Sequence, residues 1–325
     1  MTTPDKNKIP VTLLVGFLGS GKTTLLNYIL SENHGKRIAV IENEFGEISI
    51  DHHLVIGAED DIFEMNNGCV CCSIRSDLIE TLNRLITRHE KFDAILIECT
   101  GLASPGPIAQ AFLVEEAVST SLKLDGIVTL VDAKNIEKQL DEVEVAWEQI
   151  AFSNVVLLNK TDLASQEKTD QLQTRLVNIN PSAKFLKTVR AHTDLDQLLN
   201  IGGFDFEASD VQKKDWDRPT FPARVKEDIS SVGIRLPGDI DWNRFTLWLR
   251  MLLITEGMDV FRAKGILSLK DSPHRFIFQS VFMMLDGRDD RLWEEEPRQN
   301  QMVFIGRNLN RERLEAGVYS CLEED

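Results

Sequence analysis

Residues 11–30 constrain this chain more than any other stretch. Val11-Thr12-Leu13-Leu14-Val15 is an apolar, β-branched run, and Gly16-Phe17-Leu18-Gly19-Ser20-Gly21-Lys22-Thr23 follows it directly. Leu25, Leu26, Ile29 and Leu30 then recur at helical spacing. A strand, a glycine-bracketed loop and a helix in that order describe a phosphate-binding turn. A strand that is apolar throughout belongs to a sheet buried on both faces, which means a parallel sheet with helices packed on each side.

The same alternation continues for some two hundred residues. Arg37–Ile41 reads as a strand closed by Glu42, and Asp93–Ile97 as one ending at Glu98. Gly126–Val131 ends at Asp132, Val155–Leu158 ends at Asn159, and Ala183–Val189 reads as the last strand. Ser73 is expected to cap a helix with Ile74, Leu78, Leu82 and Leu85 inward, and Pro105 and Pro107 to precede another. Ligands of such sheets bind beyond the carboxyl ends of the strands. Gly16, Glu42, Glu98, Asp132 and Asn159 all fall at those ends, so separate motifs converge on one edge.

From Gly203 to Arg218 the chain turns polar and charged and lacks Ile, Leu and Met. The predicted organisation is an α/β domain of the P-loop NTPase kind over 1–203, a linker over 204–218, and a smaller α+β domain with an antiparallel sheet over 219–325. In the last, Val225–Leu236 is strand-like with an interruption at Asp228-Ile229-Ser230, and Trp242, Phe245, Leu249, Leu252 and Leu253 mark one helix face. Ile266–Leu269, Arg275–Val281 and Met302–Ile305 read as strands, and Arg311–Cys321 as a final helix.

The loop spacing has a mechanical reason. Gly16 and Gly21 let the backbone turn its N–H groups inward on phosphate oxygens, and the helix that follows adds its positive end. Lys22 reaches the β- and γ-phosphates, and the Thr23 hydroxyl ligates Mg2+. Glu98, ending a strand, stands where a Walker-B acid holds magnesium through water, although most GTPases have aspartate there. Gly101 offers a backbone N–H to the γ-phosphate. Asn159-Lys160-Thr161-Asp162 resembles the guanine-specificity motif of GTPases, because an aspartate accepts the N1–H and 2-amino hydrogens that adenine lacks. The expected nucleotide is GTP, the expected contacts are Gly16, Gly19, Ser20, Gly21, Lys22, Thr23, Thr24, Gly101, Asn159, Lys160 and Asp162, and the expected catalytic groups are Lys22, Thr23 and Glu98.

A second motif, Cys69-Val70-Cys71-Cys72, packs three thiols into four residues. Thiolates are soft ligands that favour zinc or copper(I) over magnesium. Cys69 and Cys71, two apart on an extended segment, project to one side, and Cys72 lies beside a helix N-terminus, which lowers thiol pKa. Three sulfurs leave a fourth tetrahedral position open, and no second cysteine pair closes it as in a structural zinc ribbon. A redox switch between adjacent thiols is the competing reading. Cys99 and Cys321 read as ordinary packing or surface thiols.

Bulk properties narrow the classes. The net charge of −16 opposes a nucleic-acid partner, which needs a basic face to displace counterions. Five cysteines, three of them adjacent, do not describe a disulfide framework. No apolar run reaches membrane-spanning length and the first residues lack a secretory apolar core, so the expected setting is the cytoplasm, away from membranes.

Together, Gly-Phe-Leu-Gly-Ser-Gly-Lys-Thr-Thr, Glu42-Asn43-Glu44-Phe45-Gly46-Glu47, Asn66-Asn67-Gly68-Cys69-Val70-Cys71-Cys72 and Glu98-Cys99-Thr100-Gly101 resemble the CobW-like metal-chaperone GTPases, their YjiA-type members above all. Arg262-Ala263-Lys264-Gly265 and Val303-Phe304-Ile305-Gly306 extend the resemblance to the second domain. It implies a GTPase whose cysteine motif binds Zn2+, with Co2+ or another transition metal as the alternative, and releases it to a client metalloprotein under nucleotide control. It further implies that Glu42 and Glu47 lie in the switch region and contribute to metal binding or nucleotide response. The histidine-rich tract of many relatives is missing, which argues against metal storage. Intrinsic turnover is expected to be slow, since no arginine finger is evident in the loop. A P-loop ATPase or kinase with an incidental metal site and a redox-sensing GTPase are the rival readings, and homo-oligomerisation is left open.

Overall fold

The computed structural model describes residues 8–32, 35–42, 62–64, 72–87, 92–204, 229–256, 259–281 and 284–323. The chain divides into two compact units, one drawn from Met1–Thr174 and Ala183–Ala208, the other from Arg175–Ser182 and Ser209–Asp325. Of the linker expected over 204–218, only residue 204 is among the described residues.

In the first unit the strands are β1 (Ile9–Gly16), β2 (Ile38–Glu42), β3 (Ile62–Glu64), β4 (Ala94–Glu98), β5 (Leu122–Asp132), β6 (Val155–Asn159) and β7 (Lys184–Lys187). They form one seven-stranded sheet in the order β3-β2-β4-β1-β5-β6-β7, and every pairing is parallel. The helices are α1 (Lys22–Ser31), α2 (Cys72–Ile86), α3 (Pro105–Val114), α4 (Glu116–Ser121), α5 (Ile136–Glu142), α6 (Glu144–Phe152) and α7 (Gln166–Ile179), the last of which is counted with the second unit from Arg175 onward.

The alternation of inward residues explains the layers. Leu14, Leu96, Val128, Leu130 and Leu157 pack on Leu25, Leu26 and Ile29 of α1. Their neighbours point the other way: the Thr129 hydroxyl donates to the Gln149 carbonyl of α6 at 2.9 Å. Both faces are therefore covered, which is why β4 and β6 are apolar without a break. The chain leaves β1 for one flank and returns to build the other, so a topological switch falls at the carboxyl end of β1, where ligands of such sheets bind.

That edge carries the residues the sequence put there. Gly16, Glu42, Glu98, Asp132 and Asn159 each close their strand, with Glu42 opposite Glu98 and Asp132 opposite Asn159 in register.

Several boundaries differ from expectation. The second helix starts at Cys72, so Ser73 lies in its first turn rather than capping it. Helix α3 begins at Pro105, since a proline in the first turn forfeits no helical hydrogen bond. Strand β5 starts at Leu122, earlier than the predicted Gly126, while the last strand shrinks to Lys184–Lys187. The three-residue β3 was not foreseen.

The second unit holds β8 (Ile229–Pro237), α8 (Trp242–Glu256), β9 (Val260–Ser268), β10 (His274–Val281), β11 (Met284–Leu292), β12 (Gln299–Arg307) and α9 (Arg311–Tyr319). Its five strands run β11-β10-β9-β12-β8, all antiparallel. Phe245, Leu249 and Leu253 of α8 and Val318 of α9 pack on Val232, Ile234, Phe278, Met302 and Phe304 from one sheet face. The interruption expected at Ile229-Ser230 does not occur, because those residues pair with Arg307 and Gly306. Strand β11 escaped the sequence reading. Among the described residues no helix is long and apolar enough to cross a membrane.

Candidate functional site

The phosphate loop keeps its shape through contacts that only glycine permits. Gly16 has φ 142°, and a Cβ there would stand 2.4 Å from the Leu130 carbonyl oxygen. At Gly21 φ is 109°, and a Cβ would meet the Asn159 amide nitrogen at 2.5 Å. The turn closes with the Ser20 N–H donating to the Phe17 carbonyl at 3.1 Å. Gly21 then serves as the N-cap of α1 without a side-chain cap, so the first-turn N–H groups are left for an anion. Lys22 lies buried across the loop, its Nζ donating to the Gly16 carbonyl at 3.0 Å.

Next to it, the Thr23 hydroxyl donates to Glu98 Oε1 at 3.3 Å. A hydroxyl and a carboxylate side by side, next to a lysine and a helix N-terminus, form the hard oxygen set that magnesium takes together with phosphate. Thr23 and Glu98 therefore fit that ion. Cys99, the next residue, is fully buried, and burial followed by the Glu98 charge pushes its thiol up to about 12. It stays protonated and is a packing residue. The segment after it is pinned from α6: Gln149 Nε2 donates to the carbonyls of Gly101 at 3.2 Å and Ala103 at 3.1 Å. Gly101 in turn lies against the loop, where a Cβ would stand 2.7 Å from the Leu18 nitrogen. Sequence reasoning missed Gln149, because a glutamine in an amphipathic helix carries no signal.

At the other end Asn159 works as a structural hub. Its Nδ2 donates to the Ser20 carbonyl at 2.9 Å, and its Oδ1 accepts from Thr188 Oγ1 at 3.2 Å and the Ala191 N–H at 2.8 Å. Lys160, at φ 60°, reaches the Gly19 carbonyl at 2.6 Å and Asp132 Oδ2 at 2.8 Å. Burial opposes the Asp132 charge, yet bonds from Lys160, Asn135 and the Lys134 amide outweigh it and hold the carboxyl below the usual range. Asp162 is exposed at the cleft wall.

These parts enclose one open cleft of about 1080 Å³. Of the expected nucleotide contacts, Gly19, Gly21, Lys22, Thr23, Thr24, Gly101, Asn159, Lys160 and Asp162 line it, as does Glu98. Gly16 and Ser20 are not on its wall; Ser20 is buried behind the loop. Arg190 also lines the cleft and was not anticipated.

The metal motif is only touched by the described residues. Cys72 is the first residue of α2 and Glu42 the last of β2, whereas Glu47, Cys69 and Cys71 lie outside the described residues. Among the described residues no three metal-ligating side chains cluster.

Comparison with known proteins accords with this geometry. Residues 10–187 match the CobW/HypB/UreG nucleotide-binding domain, and residues 229–322 the cobalamin synthesis protein CobW C-terminal domain. The chain is 39% identical to the zinc chaperone YjiA of Escherichia coli, over 95% of this chain and 98% of that protein. It is 33% identical to zinc-regulated GTPase metalloprotein activator 1 of Schizosaccharomyces pombe, over 93% of this chain and 83% of that one. A crystal structure of the Zn(II)-bound YjiA GTPase from E. coli superposes with a TM-score of 0.78 at 34% identity, covering 98% of this chain and all of that one. The chain thus belongs to the CobW/HypB/UreG family of nucleotide-binding GTPases, in the form that carries the CobW C-terminal domain.

Proposed function

We propose that the protein hydrolyses GTP to GDP and phosphate and uses that cycle to hold a transition-metal ion, zinc foremost, and pass it to a client metalloprotein. The observation that carries the reading is the cleft that joins Lys22, Thr23 and Glu98 at one end to Asn159, Lys160 and Asp162 at the other. Relatives named as a zinc chaperone and a zinc-regulated metalloprotein activator support the choice of metal and the notion of a client.

Each residue then has a task. Lys22 exchanges its bond to the Gly16 carbonyl for the β- and γ-phosphates, where its charge opposes theirs. Thr23 and Glu98 hold magnesium, which when bound neutralises phosphate charge. The Gly101 N–H, kept in place through Gln149, turns to the γ-phosphate. Asp162 accepts the N1–H and 2-amino hydrogens of guanine. Strand β2 runs beside β4, with Glu42 opposite Glu98, and leads into the stretch that carries Glu47, Cys69 and Cys71. A nucleotide state registered at Glu98 is thus one strand away from the segment with the metal motif, and loss of the γ-phosphate releases that segment together with its metal.

Zinc affinity measured by competition with a chromophoric chelator tests this. It is compared with a magnesium-bound GTP analogue, with GDP and without nucleotide, in the wild type and in Cys71→Ala. Zinc held tightest with the analogue, and lost in the variant, is expected. Equal affinity in all three states would overturn nucleotide gating.

A further inference from the structure

Helix α8 has two apolar faces, and the core uses only one of them. Phe245, Leu249, Leu252 and Leu253 are buried against the sheet of the second unit. Leu247, Met251 and Ile254 stand on the other side of the helix, 66%, 52% and 67% exposed. They are spaced four and three residues apart, so they form one stripe about 10 Å long. Scattered apolar side chains are normal at a protein surface, but a contiguous row on one face marks a contact. Three other exposed leucines, Leu18, Leu102 and Leu163, line the nucleotide cleft, whereas the α8 stripe is no part of that wall.

The stripe sits on a fixed platform. Helix α9 lies alongside α8: Arg313 pairs with Glu256, and Gly317 rests against the Trp248 indole. Just beyond α9, the Leu322 carbonyl accepts from Arg244 Nη1 at 3.5 Å. A face that is already formed loses little freedom when a partner lands on it.

Its charge points to the partner's chemistry. Arg250 follows Leu247 by three residues and precedes Ile254 by four, and Arg244 precedes Leu247 by three, so a guanidinium borders the stripe on each side. Both arginines are exposed, and Arg250 has no ion-pair partner among the described residues. The one carboxylate on α8, Glu256, is taken by Arg313. An apolar stripe with a cationic border, on a chain of net charge −16, is complementary to apolar side chains bordered by carboxylates. A second copy fits worse. Pairing the stripe antiparallel with itself sets Leu247 against Ile254 and brings the two Arg250 side chains together. Lipid fits worse too, since an anionic membrane repels an acidic chain.

We propose that the exposed face of α8 docks an amphipathic helix of another protein, with apolar anchors at i, i+4 and i+7 and Asp or Glu beside them. Docking there needs neither GTP nor zinc.

The test is a displayed library of helical peptides that keep apolar residues at i, i+4 and i+7 while the flanking positions vary over Asp, Glu, Lys, Ser and Ala. It is selected on the full-length protein, and the consensus peptide is titrated by fluorescence anisotropy against wild type, Leu247→Ser and Arg250→Glu. Both positions are exposed, so melting temperatures close to wild type confirm that the variants fold. Carboxylates are expected at the selected flanks. Leu247→Ser should bind the consensus peptide about tenfold less tightly. Arg250→Glu should lose about as much and prefer a version of the peptide with Lys at the flanks. A library without a saturable binder, flanks without acidic bias, or a consensus peptide bound equally by Leu247→Ser overturns the proposal. Sedimentation velocity and flotation with phosphatidylserine vesicles cover the other occupants. A dimer or vesicle binding that Leu247→Ser abolishes would give the face to a second copy or to lipid, and would equally overturn the acidic partner.

Discussion

Asp132 shows how one side chain can govern a motif to which it does not belong. It accepts from Lys160, from Asn135 Nδ2 and from the backbone N–H groups of Lys134 and Asn135, and it is almost fully buried. Lys160 is thereby aimed at the Gly19 carbonyl of the phosphate loop. Asp132→Asn keeps the shape but removes the charge, and is expected to cost about 1–3 kcal/mol of stability and to weaken nucleotide binding. Because the folded carboxyl sits below its unfolded value, its contribution is complete above the ordinary carboxylate range and fades as pH falls through the folded value. Urea denaturation from neutral pH down to about pH 3 should therefore show the gap between wild type and variant narrowing only in acid. A gap that narrowed near neutrality would mean another group is responsible. Cys99 permits a second check at this scale. Fully buried and with a pKa near 12, it should resist alkylation at pH 8 in the folded protein, as should buried Cys321, and both should label in urea. Peptide mapping by mass spectrometry separates these two from the remaining thiols.

Among elements, what the sequence disclosed follows from how each is buried. Strands β1, β4 and β6 are apolar throughout because both faces are covered, so their ends were legible to within a residue or two. Strand β11 was not, since Asp286-Gly287-Arg288-Asp289-Asp290-Arg291 has the composition of a loop. It lies at the edge of its sheet, where charge discourages pairing with another chain, and a strand with one partner needs no apolar pattern. The site divides similarly. Residues of the phosphate loop and of the Asn159–Asp162 motif carry motif spacing, whereas Gln149 acts through contacts with Gly101 and Ala103 from a distant segment and leaves no local trace. Asp132 was legible as a strand end, but its hold on Lys160 was not. In the second unit, Phe278 is fully buried and meets Phe245 edge-on, with ring centroids 5.0 Å apart. Phe278→Ala should cost about 3–5 kcal/mol, read from denaturant unfolding, because a β-sheet core closes poorly over a cavity. A cost below about 1 kcal/mol would mean that α8 collapses into the space.

At the scale of the whole molecule, a parallel sheet gathers residues far apart in sequence along one edge and sets the distance between events by strand order. Glu98 lies on β4, the direct neighbour of both β1, which ends in the phosphate loop, and β2, which ends at Glu42. If the segment following Glu42 holds the metal, the two ligands are coupled through adjacent strands of one rigid sheet. Coupling between binding sites is reciprocal, so the factor by which a GTP analogue tightens zinc must equal the factor by which zinc tightens the analogue. The prediction is a closed cycle: analogue affinity measured with and without saturating zinc changes by the same ratio as zinc affinity measured with and without saturating analogue. GDP should give a ratio near one in both directions. Glu98→Gln keeps the hydrogen-bonding shape at the end of β4 but loses the charge that would sense magnesium, and should bring the analogue ratio towards one without abolishing zinc binding itself. Isothermal titration of all four legs checks this. Legs that fail to close would show that the zinc being titrated occupies a site other than the one linked to the nucleotide. A cycle that closes with a ratio of one would leave a GTPase whose metal is indifferent to its nucleotide.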